Sequence, residues 1–258
     1  MMPALFIAHG APLLAIEENE YTSFLAGLSQ QFPKPKAVVV FSAHWLAEEQ
    51  NISEVDHYST IYDFGGFPDE LYQINYPAFN DLEIVQEIKS LLSTQRIGYD
   101  ADTVRGLDHG AWVVLRLLYP NAEVPVVAMS VNPYLSPQDQ YRIGVALSSL
   151  RKKDILVIAS GGTVHNLGAI RWEGNSVDEW ALQFDEWLEK RLIEWDLTSL
   201  YQYRTLAPYA KFAVPTYGTE HFVPIFYAMG VAHEVQKATL LYRGYRYGSL
   251  SHSVWQFG

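Results

Sequence analysis

The 258-residue chain reads as a single α/β domain spanning 1–258, with a mostly parallel or mixed central sheet, helices on both faces and antiparallel edge strands at the C-terminal end. Three observations predict this. Short, nearly unbroken apolar runs rich in Val and Ile occur at 4–8, 37–42, 124–130 and 155–160, the pattern of strands buried on both faces. Segments with helical spacing lie between them. The tail, "ATLLYRGYRYGSLSHSVWQF", instead alternates polar and apolar residues around Gly244 and Gly248.

In chain order, "ALFIA" at 4–8 opens the sheet and stops at His9-Gly10. Helix 21–32 carries Phe24, Leu25 and Leu28 on one face, and strand 37–42 runs into "SAHW" at His44. Residues 59–80, "STIYDFGGFPDELYQINYPAFN", have no period and are dense in Gly, Pro and aromatics. A loop of that length is functional or disordered, and this one is too aromatic for disorder; Tyr62, Asp63 and Phe67 read as the wall or lid of a pocket, or as an aromatic cluster under a long connection. Helix 81–92 carries Leu82, Ile84, Val85, Ile88, Leu91 and Leu92 at helical spacing. Helix 112–119 follows "LDHGAW", where Asp108 either orients His109 or caps the helix. Strand 124–130, helix 138–150 and strand 155–160 follow, the last running into "SGGTVHNLG". After helix 177–195, "TEHFVP" opens a helical segment with Glu220 and His221.

Composition narrows the function classes. The 18 Lys and Arg against 29 Asp and Glu give a formal charge of −11, which supplies no basic patch and excludes nucleic acid and anionic membrane as expected partners. No apolar run approaches the ~20 residues that cross a bilayer, and the N-terminus shows no signal-peptide pattern, so a cytoplasmic protein is expected. With no cysteine, any transition-metal site must use His, Asp and Glu.

In an open α/β sheet ligands bind beyond the carboxyl ends of the strands, and His9, His44 and His165 all follow strand runs. Each alone reads as a structural imidazole bonded to a nearby carbonyl; three at strand ends point to one shared rim. His221 or Glu220, and His109, are further candidates, whereas His57, His233 and His252 read as surface or structural groups. Two or three imidazoles plus a carboxylate, with positions left open, make a catalytic site for a divalent metal. Imidazole suits both Fe(II) and Zn(II).

The motifs "HGAP" (His9 to Pro12), "SAHW" (Ser42 to Trp45), "YDFGGFP" (Tyr62 to Pro68), "LDHGAW" (Leu107 to Trp112), "VHNL" (Val164 to Leu167), "EHFVP" (Glu220 to Pro224) and "GSLS" (Gly248 to Ser251) occur in this order. Together they resemble the class III extradiol ring-cleaving dioxygenases, in the branch similar to DOPA 4,5-dioxygenase. The resemblance implies a non-haem metal held by His9, His44 and His221, with His165 close enough to ligate zinc or to act on substrate. It implies Glu220 as the alternative third ligand and His109 as a second histidine of the pocket. It also implies Fe(2+) for activity, Zn(2+) as the ion carried through purification, and O2 with a small catechol, DOPA-like with a short polar side chain, as substrates. Ring opening needs a group to take a phenolic proton and return one, with His165 the first choice and His109 the second. A zinc hydrolase, or a non-catalytic interaction protein on the same scaffold, is the competing reading.

Overall fold

Val38 and Val40 face one side of the sheet and Val39 and Phe41 the other, and all four are buried, as a strand covered on both faces requires. A computed structural model describes residues 1–173 and 176–258. Among these residues eight strands form one sheet: β1 (Ala4–Ala8), β2 (Ala37–Leu46), β3 (Gln50–Ser53), β4 (Tyr99–Asp102), β5 (Val126–Val131), β6 (Ile155–Gly161), β7 (Ala238–Arg246) and β8 (Leu250–Phe257). Their order is β4-β3-β5-β2-β6-β1-β8-β7. The helices are α1 (Glu20–Leu28), α2 (Leu82–Thr94), α3 (His109–Leu118), α4 (Pro137–Ala146), α5 (Glu179–Ile193), α6 (Leu197–Tyr201), α7 (Tyr203–Leu206), α8 (Ala210–Ala213), α9 (Thr219–Phe222) and α10 (Pro224–Val231).

Two apolar layers sandwich the sheet. Leu5, Ile7, Val38, Val40 and Ile158 pack with α1, α3 and side chains of the long loop, including Tyr58, Leu71 and Tyr76. Phe6, Val39, Phe41 and Val157 pack on the opposite side with α2, α4, α5 and α10. The helix starts follow local chemistry. Asn19 and Thr22 form a reciprocal capping box on α1, and Asp81 and Asp108 accept backbone N–H groups at the starts of α2 and α3.

β1, β2 and β6 run parallel with Ala8 opposite Gly161 and Ser42 opposite Ser160, so their carboxyl ends share one rim. β2 continues past Ser42, where its pairing with β6 stops and its register against β5 shifts, and the strand end carrying His44 diverges into the rim. The C-terminal hairpin forms as expected, yet only β7 is an edge: β8 lies inside, antiparallel to β1. β3 and β4 carry the polar sequences "QNIS" and "YDAD", which hold no apolar alternation from which to read a strand. No described helix is long and apolar enough to cross a membrane.

Candidate active site

His9 leaves β1 with its backbone N–H on the carbonyl of Gly161 (3.1 Å), and Gly10 turns the chain away at φ +62°, a conformation that favours glycine. His221 sits on the four-residue α9, which is pinned to the end of β6. The N–H of Gly162 donates to the His221 carbonyl (2.8 Å), and a Cβ on Gly161 would fall 2.1 Å from that same oxygen. The approach brings a third imidazole to the rim from the helical layer. His44 Nε2 lies 3.1 Å from His9 Nε2 and 3.3 Å from His221 Nε2, and the three residues each place a ligating atom within 4.8 Å of the others.

The outer nitrogens explain why the inner ones face each other. Ser160 Oγ donates to the carbonyl of Gly110 (2.5 Å), so at its 2.9 Å contact with His9 Nδ1 it accepts, and the His9 proton sits on Nδ1. His44 Nδ1 faces Asp63 Oδ2 (3.3 Å) and His221 Nδ1 faces Glu220 Oε1 (3.1 Å), both acceptors. An acceptor beside each outer nitrogen favours the tautomer with the proton there, and in that tautomer three Nε2 lone pairs point at one another. That arrangement is electrostatically unfavourable alone and is the donor set of a divalent cation, with the outer-nitrogen partners fixing tautomer and ring orientation.

Burial sustains the neutral form. It pushes the imidazoles of His9 and His221 well below the ordinary histidine range, and neighbouring histidines push them further. His44 is lowered to about 4, first by burial and then by His109. For Asp63, burial acts to raise the pKa, but the contacts to His109 and His44 prevail and hold it at about 2. Glu220 is raised by burial.

His109 stands at the first turn of α3 with its ring centroid 4.0 Å from that of His44. Asp63 reaches it twice: Oδ1 accepts the His109 backbone N–H (2.9 Å) and lies 3.0 Å from its Nδ1, off the axis of a well-aligned hydrogen bond. Asp108 instead caps α3 through the N–H of Ala111 (3.2 Å), accepts from Ser42 Oγ (2.5 Å) and meets Arg105 (3.1 Å), whose guanidinium also donates to the His44 carbonyl (3.0 Å). Of the two readings of Asp108, the cap is the one observed, and the carboxylate beside the His109 ring is that of Asp63. His165 lies against His221 as a stacked ring, outside the group of three converging nitrogens.

These histidines line a cavity of about 450 Å³. Phe67 lines it as expected, and so does Phe64, edge-on to His109 with centroids 5.7 Å apart. Tyr62 and Asp63 do not. Tyr62 Oη donates to the Ile74 carbonyl (2.7 Å), which holds the ring inside its own loop, and the Asp63 carboxylate turns to the outer nitrogens of His44 and His109. Trp45 is buried packing, with Arg105 over its face at 5.1 Å. His57 and His233 are exposed, and His252 is buried against Tyr21. Ser160 was not expected at the site. Its signal is a hydroxyl at the end of an otherwise apolar strand, at the parallel position to a strand that ends in histidine.

Comparison with known proteins gives a consistent set of matches. The model of the catalytic LigB subunit of aromatic ring-opening dioxygenase matches residues 3–256. A 4,5-DOPA dioxygenase extradiol of Beta vulgaris is 38% identical over 98% of this chain and 95% of its own length. One from Escherichia coli K12 is 33% identical over 100% of this chain and 95% of its own length. A solved structure described as an uncharacterized protein from Escherichia coli K12 superposes with a TM-score of 0.85 and 31% identity, each chain covered in full.

Proposed function

Because the chain belongs to the LigB family of aromatic ring-opening dioxygenases, in the class III extradiol, DOPA dioxygenase-like branch, and is an oxygen-incorporating oxidoreductase, we propose that it opens a small catechol ring with O2 at a metal held by His9, His44 and His221. The observation that carries the metal is the convergence of the three Nε2 atoms, with an acceptor beside each outer nitrogen. Fe(II) is the metal proposed for activity, with Zn(II) the ion expected to displace it in purified protein, since zinc binds such sites more tightly.

When bound, the metal supplies Lewis acidity that favours the ionised catechol and a common site for the diol and O2. The chain supplies the rest. Phe64 and Phe67 offer apolar walls to the ring. His165 and His109, facing the cavity as neighbours of the ligand set, are the groups that take a proton from the diol and return one during ring opening. Burial, and then His221, lower the His165 pKa to about 2, so its ring is neutral in the free site.

The site supports this reading over a zinc hydrolase. The two carboxylates at the metal group, Asp63 and Glu220, each face the outer nitrogen of a ligand histidine, and the cavity adds two further imidazoles, His109 and His165. The test is anaerobic reconstitution with Fe(II) followed by oxygen uptake and product spectra with catechols. Stoichiometric uptake with a yellow semialdehyde product is expected; no uptake with any catechol would sink the proposal.

A further inference from the structure

We infer that the substrate carries an uncharged, apolar substituent on its catechol ring, in place of the short polar side chain that the sequence alone suggests. The inference rests on the ring-opening reading above and deepens it.

A catechol docked by its hydroxyls at the histidine rim must place its substituent against the outer half of the cavity. Away from the histidines the lining includes Leu13, Phe67, Leu167, Ile170, Trp172 and Leu250 beside Tyr217 and Tyr247, and among the described residues no Lys or Arg lines the cavity anywhere. The only charged side chain on the lining is Glu220, an anion. A carboxylate entering here gives up water and finds no cation, while Glu220 and the net charge of −11 repel it.

The neighbouring cations lie off the lining, and two of the three are paired to carboxylates. Arg171, between the lining residues Ile170 and Trp172, is paired to Asp178 at 2.6 Å. Arg246, next to the lining residue Tyr247, is paired to Glu17. Arg204 belongs to an adjoining groove that shares Tyr217 and Glu220 with the cavity, and it donates to Thr219 Oγ1. Meanwhile the rim leaves apolar surface in water: Leu167 is 57% exposed and Trp172 71%. An alkyl or aryl substituent would cover that surface, and each buried methylene would favour it.

The experiment measures kcat/KM on the Fe(II) enzyme, and dissociation constants by calorimetry on the Zn(II) form, for 4-propylcatechol, dopamine, DOPA and 3,4-dihydroxyphenylacetate. 4-Propylcatechol is expected to lead both carboxylated catechols by at least about tenfold in both quantities, the scale on which an unpaired buried polar group discriminates. Leu167→Arg, at the exposed rim, should narrow that gap by improving the carboxylated pair. A carboxylated catechol within about threefold of 4-propylcatechol overturns the inference while leaving ring opening intact. Dopamine in the lead also overturns it, in favour of a cation met by Glu220. Absence of turnover with all four would strike the ring-opening reading alone, because the calorimetric order still decides the substituent.

Discussion

The imidazole of His165 lies flat on that of His221, with ring centroids 3.6 Å apart and planes within 6°. Stacked in this way, the ring stands beside the ligand trio and lines the cavity. His165→Gln is expected to keep its iron and to bind catechol under nitrogen, while turnover falls ~10²-fold or more, the usual cost of losing an acid–base group. Iron content assayed beside the anaerobic titration checks this. Iron lost together with activity would make His165 a ligand and pass the proton role to His109.

Asp63 holds the outer nitrogen of His44 with one oxygen and His109 with the other. In Asp63→Asn one of those positions becomes an amide that donates toward an N–H. Metal affinity should fall roughly 10- to 100-fold, the range for outer-shell partners of ligating histidines. Competition against a chelator gives the number, and an unchanged circular dichroism spectrum separates this from unfolding.

Gly161 and Gly162 form an internal control. A methyl on Gly161 would meet the His221 carbonyl at 2.1 Å, whereas one on Gly162 finds its nearest atoms, in the His165 side chain, at 3.7 and 3.9 Å. Gly161→Ala should therefore cost about 1–3 kcal/mol as an overpacked site and weaken metal binding by displacing α9. Gly162→Ala should match the parent in both urea unfolding and metal content. Equal behaviour of the two variants would show that the close approach does not fix the third imidazole.

His252, packed against Gly10 and Tyr21, is pushed down to about 3 by burial and then by Arg246. An unfolded histidine takes a proton near pH 6.5, so between about 6.5 and 3 the unfolded chain binds the extra proton and stability falls on acidification, by up to ~1.4 kcal/mol per pH unit. The melting temperature of His252→Asn should decline less steeply than the parent's between pH 7 and 5. Parallel slopes would contradict this.

The four central strands and the five longer helices announced themselves because a doubly buried strand and an amphipathic helix each carry a local pattern, as "ILVIASG" and "LEIVQEIKSLLST" do. The outer strands β3 and β4, of which β4 is the edge, carry none, being short and polar. The region between Leu197 and Phe222 breaks into helices of four or five residues, each too short for a period to emerge. At the site, the histidines were legible as residues that end apolar runs, but their outer partners were not. Ser160 and His9 are 151 positions apart, and only the parallel register of β1 and β6 brings them together. Asp63 looked like part of a pocket wall because its aromatic neighbours do line the pocket; which way a loop carboxylate turns depends on the rings behind it.

The strand bearing His9 has neighbours that come from much later in the chain, β6 on one side and β8 on the other. During synthesis β1 is therefore an early apolar segment with both edges bare, and it waits for most of the protein to emerge before either is covered. Such long-range pairing slows folding and leaves a nascent chain open to aggregation. The metal group obeys the same timetable, since His9 and His44 are made early and His221 only after β6. A chain halted before α9 has two of the three imidazoles, and one halted before β8 leaves an edge of β1 exposed, so metal uptake reports that the chain has been made through α9 and that its distant segments have met.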